Sequence, residues 1–326
     1  METKIKIRFL EENNKKKFFE FLDKNWKKNY ILTKNRNLFN WQFFKKKKYN
    51  FIIAYKDKDI IGCIGFINDN HFSNKTNHNR DRYWLVNWMV KKDHSFIGLK
   101  LLDYLIEKKK PNFIGTIGCN NLAKEIYKKL NFKVGYMTCR YISYYPKNPY
   151  IMKHNLKKKK INYILEKNYL TEINFKNLKN IKLNDIEFIK NRYLKHPVYK
   201  YKVYEINKEK IKDNFIVLRE ISRKGNKSLA AKLIDFKLND TKIAKNILSE
   251  LCIKFNYEYI LVYYHYTSNN SKKFINLNLQ NNKVIIPQYF SPFKKKNIRI
   301  NFAYKFLKKK FETNFTLGDC DQDRPN

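Results

Sequence analysis

Residues 83–145 impose the tightest constraint on what this chain can fold into, because strand and helix signals alternate there without a gap. Residues 83–90 (YWLVNWMV) are aromatic and β-branched almost throughout, which predicts a buried strand. Residues 96–109 carry Leu99, Leu102, Leu105 and Ile106 at helical spacing. A short strand at 113–117, a helix over 120–130 with Ala123, Ile126, Tyr127 and Leu130 inward, and a last strand at 133–145 complete the series. Strands alternating with helices imply an α/β fold, a mixed, partly parallel sheet flanked by helices. Upstream, Phe18, Phe19, Phe21, Leu22 and Trp26 predict a helix over 14–28, and residues 35–49 read as loop and short helix. Two apolar runs around a Lys-Asp-Lys-Asp turn predict a hairpin over 50–67, and the Asn- and His-rich stretch 68–82 a loop. On strand 83–90, Trp84 and Trp88 share a parity and therefore a face, with Asn87 on the other.

At 326 residues the chain suits two domains, divided here as 1–150 and 151–326, with the Lys-rich stretch from Lys153 to Lys167 at the junction. The second part predicts a helix near 184–194, a hairpin around 200–220, strands at 229–236 and 258–264, and a helix over 241–255 between them. Strand, helix, strand repeats the layout of the first part.

Two segments carry recognisable chemistry. After strand 83–90 comes Lys91-Lys92-Asp93-His94-Ser95-Phe96-Ile97-Gly98-Leu99-Lys100-Leu101-Leu102. A strand, a turn with a glycine and a helix start form a place where backbone N–H groups can meet a pyrophosphate, and Gly98 lets the backbone come close. The same residues also suit an ordinary strand–turn–helix capped by Asp93 or Ser95. The second segment, Asn120-Asn121-Leu122-Ala123-Lys124-Glu125-Ile126-Tyr127-Lys128-Lys129-Leu130-Asn131-Phe132, decides between them. It resembles motif B of the GNAT superfamily of N-acyltransferases, N-x-x-A-x-x-x-Y-x-x-x-G-F, and matches at Asn120, Ala123, Tyr127 and Phe132. Asn131 replaces the glycine, and Asn is the next most tolerant residue of a left-handed helix end. The first segment then resembles motif A, R/Q-x-x-G-x-G/A before a Leu-Leu pair. Gly98 falls on the last glycine, Phe96 on the first, and Asp93 on the Arg/Gln.

The resemblance implies acetyl-CoA or another acyl-CoA as cosubstrate and a GNAT-like fold, with two tandem GNAT-like domains. It implies cofactor contacts from Ser95, Phe96, Ile97, Gly98, Asn120 and Ala123, and a backbone N–H near Met89 or Val90 that polarises the thioester carbonyl. It makes Tyr127 the general acid that protonates the departing thiolate. Tyr127 also fits as a core tyrosine on an apolar helix face, and Asn120 as a simple helix cap. The base is not identified; Asp81, His78 and His94 are candidates, and each also fits as a solvated loop residue.

The net charge of +41 suggests nucleic acid or an anionic membrane surface. Only ten of the seventy basic residues are Arg, however, and the Lys are spread along the chain among abundant Asn and Ile. That pattern follows from an AT-rich coding bias, so no specific nucleic-acid partner is expected. Five widely spaced cysteines without a CxxC argue against a disulfide framework or a zinc site and suit a reducing cytoplasm. No signal core and no apolar run long enough for a transmembrane segment are seen, so a cytoplasmic location is expected.

The C-terminal Gly318-Asp319-Cys320-Asp321-Gln322-Asp323-Arg324-Pro325-Asn326 is acidic in a basic chain. With the segments 196–201 and 286–293 it resembles GNAT-related proteins found among bacterial surface-polysaccharide genes. It is expected either to bind a cationic or hydroxyl-rich acceptor or a divalent metal, or to be a flexible tail that pairs with the basic surface. The leading expectation is N-acylation of an amine-bearing small molecule, such as an amino sugar on a sugar nucleotide. The alternatives are a tRNA-dependent aminoacyl transferase of the FemAB kind and a non-catalytic binding protein.

Overall fold

A computed structural model of the chain describes residues 5–73, 81–154, 170–206, 214–222, 230–238, 241–267, 277–279, 283–288 and 294–321. The first part runs β1 (Ile5–Phe9), α1 (Lys15–Asn25), α2 (Arg36–Phe43), β2 (Phe51–Lys56), β3 (Asp59–Asn68), β4 (Arg82–Val90), α3 (Ile97–Lys109), β5 (Phe113–Ile117), α4 (Asn121–Lys129), β6 (Lys133–Tyr136) and β7 (Thr138–Ile142). The second runs β8 (Leu170–Ile173), β9 (Lys202–Ile206), β10 (Phe215–Ile221), β11 (Ala230–Lys237), α5 (Thr241–Lys254), β12 (Ile260–Tyr266) and β13 (Asn301–Phe306). The helix expected near 184–194 is a single α turn, Ile186–Ile189, that widens into a π turn at Lys190–Leu194.

These elements make two large mixed sheets flanked by helices. The first has the order β1-β2-β3-β4-β5-β13-β6, and the second β8-β9-β10-β11-β12-β7 with short strands added at its end and beside β12. Neighbours are antiparallel except β4 with β5 and β11 with β12, each pair joined through a crossover helix. The outer face of the first sheet is covered by α3 and α4, around Leu101, Leu105, Tyr127 and Phe132. The outer face of the second is covered by α5, around Ile247, Leu248 and Leu251. One continuous core joins the remaining faces, from Phe18, Phe39 and Trp84 to Val203, Ile234 and Tyr263.

Two expectations change. The strand expected over 133–145 is two strands in different sheets, divided at Met137, whose N–H donates to Ile300 O at 2.8 Å. Helix α3 buries Ile97, Gly98, Leu101, Leu102 and Leu105, while Leu99 faces solvent. The sheets also exchange strands across residue 150. Residues 138–142 pair with β12 in the second sheet, and 301–306 lie between β5 and β6 in the first.

A fragment ending at residue 150 therefore lacks an internal strand of its own sheet. We expect residues 1–150 alone to show no cooperative melting transition by circular dichroism, whereas the whole chain melts cooperatively. A sharp transition in the fragment would mean that β13 is dispensable.

Candidate active site

The site begins with the geometry of β4. Its pairing with β3 matches Cys63 to Met89 and Gly65 to Val86, so Asn87 and Trp88 together oppose Ile64 in a β-bulge. Asn87 takes φ 49°, a left-handed conformation that Asn accepts more readily than most residues. Its side-chain N–H donates to Tyr30 OH at 3.0 Å, and its carbonyl accepts from the Cys63 thiol at 3.4 Å. The extra residue reverses the alternation of faces. Trp84 points into the shared core, whereas Trp88 packs on the helix face against Tyr127, with ring centroids 5.2 Å apart. The parity argument that put both tryptophans on one face fails for this reason.

The parallel pairing of β4 with β5 ends at Trp84 and Gly115. Thr116 Oγ1 donates to Leu85 O at 3.0 Å and closes the vertex. Beyond it the strands part, and among the described residues no strand pairs with this edge of β4 as far as Val90. Met89 and Val90 lie on that open stretch.

Helix α3 starts just past it, after a 3-10 turn at Lys92–His94. Its first turn contains no acidic residue, and its N-terminus has no side-chain cap. Early N–H groups of a helix generally lack an intrahelical acceptor and favour anions; here Gly98 N–H donates to Ser95 O at 3.2 Å, and Lys100 Nζ lies 5.6 Å from the centre of the Phe96 ring. Ser95 and Phe96 are exposed here, whereas Ile97 and Gly98 are buried. A Cβ on Gly98 would stand 3.3 Å from Trp88 Nε1, and that indole donates to Gly98 O at 3.2 Å. The glycine thus lets Trp88 lie against the helix end.

Helix α4 is capped by Asn120, whose Oδ1 accepts from Ala123 N at 2.8 Å. Asn131 ends it with φ 60°, the conformation expected for its place. Tyr127 is buried between Trp88 and Phe132, and burial pushes its hydroxyl well above the usual phenol range, with Cys119 and then Cys320 adding to the rise. The hydroxyl therefore stays protonated at neutral pH. Ile126, expected inward, is 37% exposed and Leu122 is 74% exposed. Lys124 leans over Tyr136 of β6 at 4.4 Å, so the exposed flank carrying Leu122 and Ile126 is turned away from β6.

The base candidates do not converge here. Asp81 stands at the opposite end of β4 and accepts from Asn68 at 2.8 Å. His94 lies beside Phe96 at the start of α3, and His78 falls outside the described residues.

Gly318–Asp321, the described part of the C-terminal ending, is packed between the two sheets rather than loose, and residues 322–326 of the expected tail lie outside the described residues. Arg82 Nη2 donates to Asp319 at 2.7 Å, and its Nε pairs with Asp69. Burial works against the Arg82 charge, but Asp319 and Asp69 outweigh it and hold the guanidinium protonated. Burial also pushes Asp69 and Asp235 up from the usual carboxylate range, with Asp319 adding to both. Asp235 accepts from Tyr193 OH at 2.6 Å, and buried Arg192 donates to Gly318 O and Cys320 O, each at 2.9 Å. The Cys320 thiol lies 3.7 Å from Leu85 O, at the vertex. Sequence reasoning noticed the aspartates but had no signal for their partners, which come from distant strands. Among the described residues no group of His, Cys, Asp and Glu is arranged to hold a metal.

Residues 15–132 match the family described as "Acetyltransferase (GNAT) family". Among solved structures, a GCN5-related N-acetyltransferase from Anabaena variabilis aligns with a TM-score of 0.55 at 9% identity, covering 93% of this chain and 73% of its own. A GCN5-related N-acetyltransferase from Kribbella flavida gives 0.53 at 9% identity over 93% and 71% of the two chains. A probable N-acyltransferase from Enterococcus faecalis gives 0.53 at 6% identity over 94% and 73%. A comparison with curated proteins finds no match. Residues 15–132 are thus similar to that family, and the overall fold is shared with these solved structures.

Replacing Arg82 with Met leaves Asp69 and Asp319 without their cation. Removing one partner of a buried pair costs about 3–5 kcal/mol. Burial already raises the folded-state carboxyl of Asp69, so its proton stabilises the folded state at low pH, and that contribution is lost as pH rises. Without the cation the rise is larger. The urea midpoint of R82M should fall furthest below wild type near about pH 8 and recover toward about pH 5; a gap independent of pH would exclude the electrostatic origin.

Proposed function

We propose that the protein is an acyl-CoA-dependent N-acyltransferase, with acetyl-CoA or a similar thioester as donor. The observation that carries this is the parting of β4 from β5 just before the N-terminus of α3, which has no side-chain cap, with Tyr127 of α4 packed against Trp88 of β4. The CoA phosphates bind at the α3 N-terminus through the backbone of Ser95, Phe96, Ile97 and Gly98. The pantetheine arm runs past Asn120 and Ala123, and the thioester carbonyl lies on the open edge of β4 near Met89 and Val90. A neutral amine attacks that carbonyl to give a tetrahedral intermediate whose oxyanion the β4 backbone N–H stabilises. The C–S bond then breaks, Tyr127 gives its proton to the thiolate, and the ammonium proton leaves to solvent.

An amine acceptor is proposed on the resemblance to N-acyltransferases. Within this class we favour an amino sugar, nucleotide-linked, in surface-glycan biosynthesis, on the resemblance of the C-terminal ending.

Acetyl-CoA binding is tested by thermal unfolding. A ligand bound only by the folded state at a hundredfold excess over its Kd adds about 2.7 kcal/mol. Free CoA and ATP control for a general affinity of this basic surface for polyanions, and an equal shift with ATP would remove the support for a CoA site. Tyr127→Phe should lower kcat by roughly 10²-fold while leaving acetyl-CoA affinity unchanged; unchanged kcat would exclude Tyr127 as the acid.

A further inference from the structure

The second sheet repeats the construction of the cleft. β4 and β5 run parallel from the pair Arg82–Phe113 to the pair Trp84–Gly115 and then part. β11 and β12, likewise joined through a helix, run parallel from Ala231–Ile260 to Leu233–Val262 and then part as well. In each case the first strand carries a β-bulge past the last parallel pair, on the side of its antiparallel neighbour. In β4 the bulge is Asn87–Trp88, against β3. In β11 it is Ile234, because Val217 of β10 is matched to Asp235 and Leu218 to Leu233. A bulge bends its strand and raises the local twist, so the same device accompanies both partings.

The two openings differ in what lies between their strands. Among the described residues no strand pairs with the open edge of β4. Between β11 and β12 lies the chain's own C-terminal segment. Phe315 and Asn314 pair antiparallel with His265 and Tyr266 of β12. Gly318 N–H donates to Ile234 O, the bulge carbonyl of β11, at 2.8 Å. The parted strands thus find backbone partners from within. Thr316 Oγ1 lies 3.3 Å from Asp235 Oδ1, and Phe315 and Leu317 have no exposed surface. A Cβ at Gly318 would stand 3.1 Å from Asp235 Cβ and 3.3 Å from Ile234 O, so the segment lies close against β11. Its far end is anchored by Arg82 on Asp319 and by Arg192 on the carbonyls of Gly318 and Cys320. We propose that the second half holds a cleft of the same construction which Asn314–Gly318 fills permanently, so that the chain has one acyl-CoA site, in the first half, and the second half is non-catalytic. The count of one rests on the acyl-transfer function proposed above.

Calorimetric titration of the full-length protein with acetyl-CoA, together with hydrogen–deuterium exchange, tests this without knowledge of the acceptor. One acetyl-CoA should bind per chain. Saturating acetyl-CoA should slow exchange over 85–98 and leave 230–237 and 260–266 unchanged. In the free protein, 314–318 should exchange as slowly as 260–266. Gly318→Val, which sets a side chain against Asp235 and Ile234, should speed exchange of 314–318 and 230–237 together by about tenfold or more. Two bound acetyl-CoA per chain, or slowing over 230–237 on binding, would overturn the proposal whether or not the variant folds. Rapid exchange over 314–318 in the free wild-type protein would overturn the filled cleft by itself. Failure to bind acetyl-CoA, with 314–318 still protected, would instead overturn the acyl-transfer function and the count of one that rests on it.

Discussion

The hydrogen-bonding demand of a strand edge organises this molecule. β5 gives one edge to β4 for three residues only, so most of its stabilising ladder must come from the other edge. That ladder is supplied by Asn301–Phe306, which pairs with β5 from Phe113 to Ile117 and with β6 on its far side. Unpaired backbone in a buried strand is costly. The cleft between β4 and β5 therefore exists because the C-terminal half completes the sheet beside it. Residue Asn301 shows the coupling locally, since its side-chain N–H donates to Cys119 O at 2.8 Å at the entrance to α4. In return, β7 pairs with β12, so neither sheet is closed by its own half of the chain.

The ion network around Arg82 belongs to the same design. Burying one guanidinium among carboxylates adds little net stability, because desolvation offsets most of the attraction. What it supplies is position. Arg82 ties the start of β4 to Asp69 before it and to Asp319 near the C-terminus, and it also donates to Thr313 Oγ1 and Asn314 O, both at 2.9 Å. Together with Arg192, these bonds bring Cys320 to Leu85 in one register.

Local features of the fold were legible in the sequence because they depend on local periodicity. The hairpin at 50–67, the strand at 83–90 and the helices near 96–109 and 120–130 all appear at those places. The motif B residues also behave as their chemistry suggests: Asn120 caps, Tyr127 is buried, and Asn131 is left-handed. What escaped was set by distant partners. No periodicity shows that 301–306 inserts beside 113–117, or that Arg82 meets an aspartate 237 residues away. The bulge at Asn87 escaped for a different reason. It adds one residue inside a continuous strand, so parity counting carries on across it and assigns Trp88 to the wrong face.

The departures from motif A are resolved by backbone conformation. Glycine is required where φ is positive or where a side chain would block a close approach. Phe96, at the first glycine, has φ −62° and ψ −23°, which any residue adopts, and its ring is 52% exposed. Its side chain therefore leaves the backbone N–H groups of the helix start accessible. At Gly98 a Cβ would stand 3.3 Å from Trp88 Nε1, a tight contact that Trp88 would have to ease by a small shift. Asp93 sits in the preceding 3-10 turn, outside the first turn of α3, where the helix end acts most strongly on an anion. A phosphate-binding helix start needs open N–H groups, and the first turn of α3 has neither a side-chain cap nor an acidic residue.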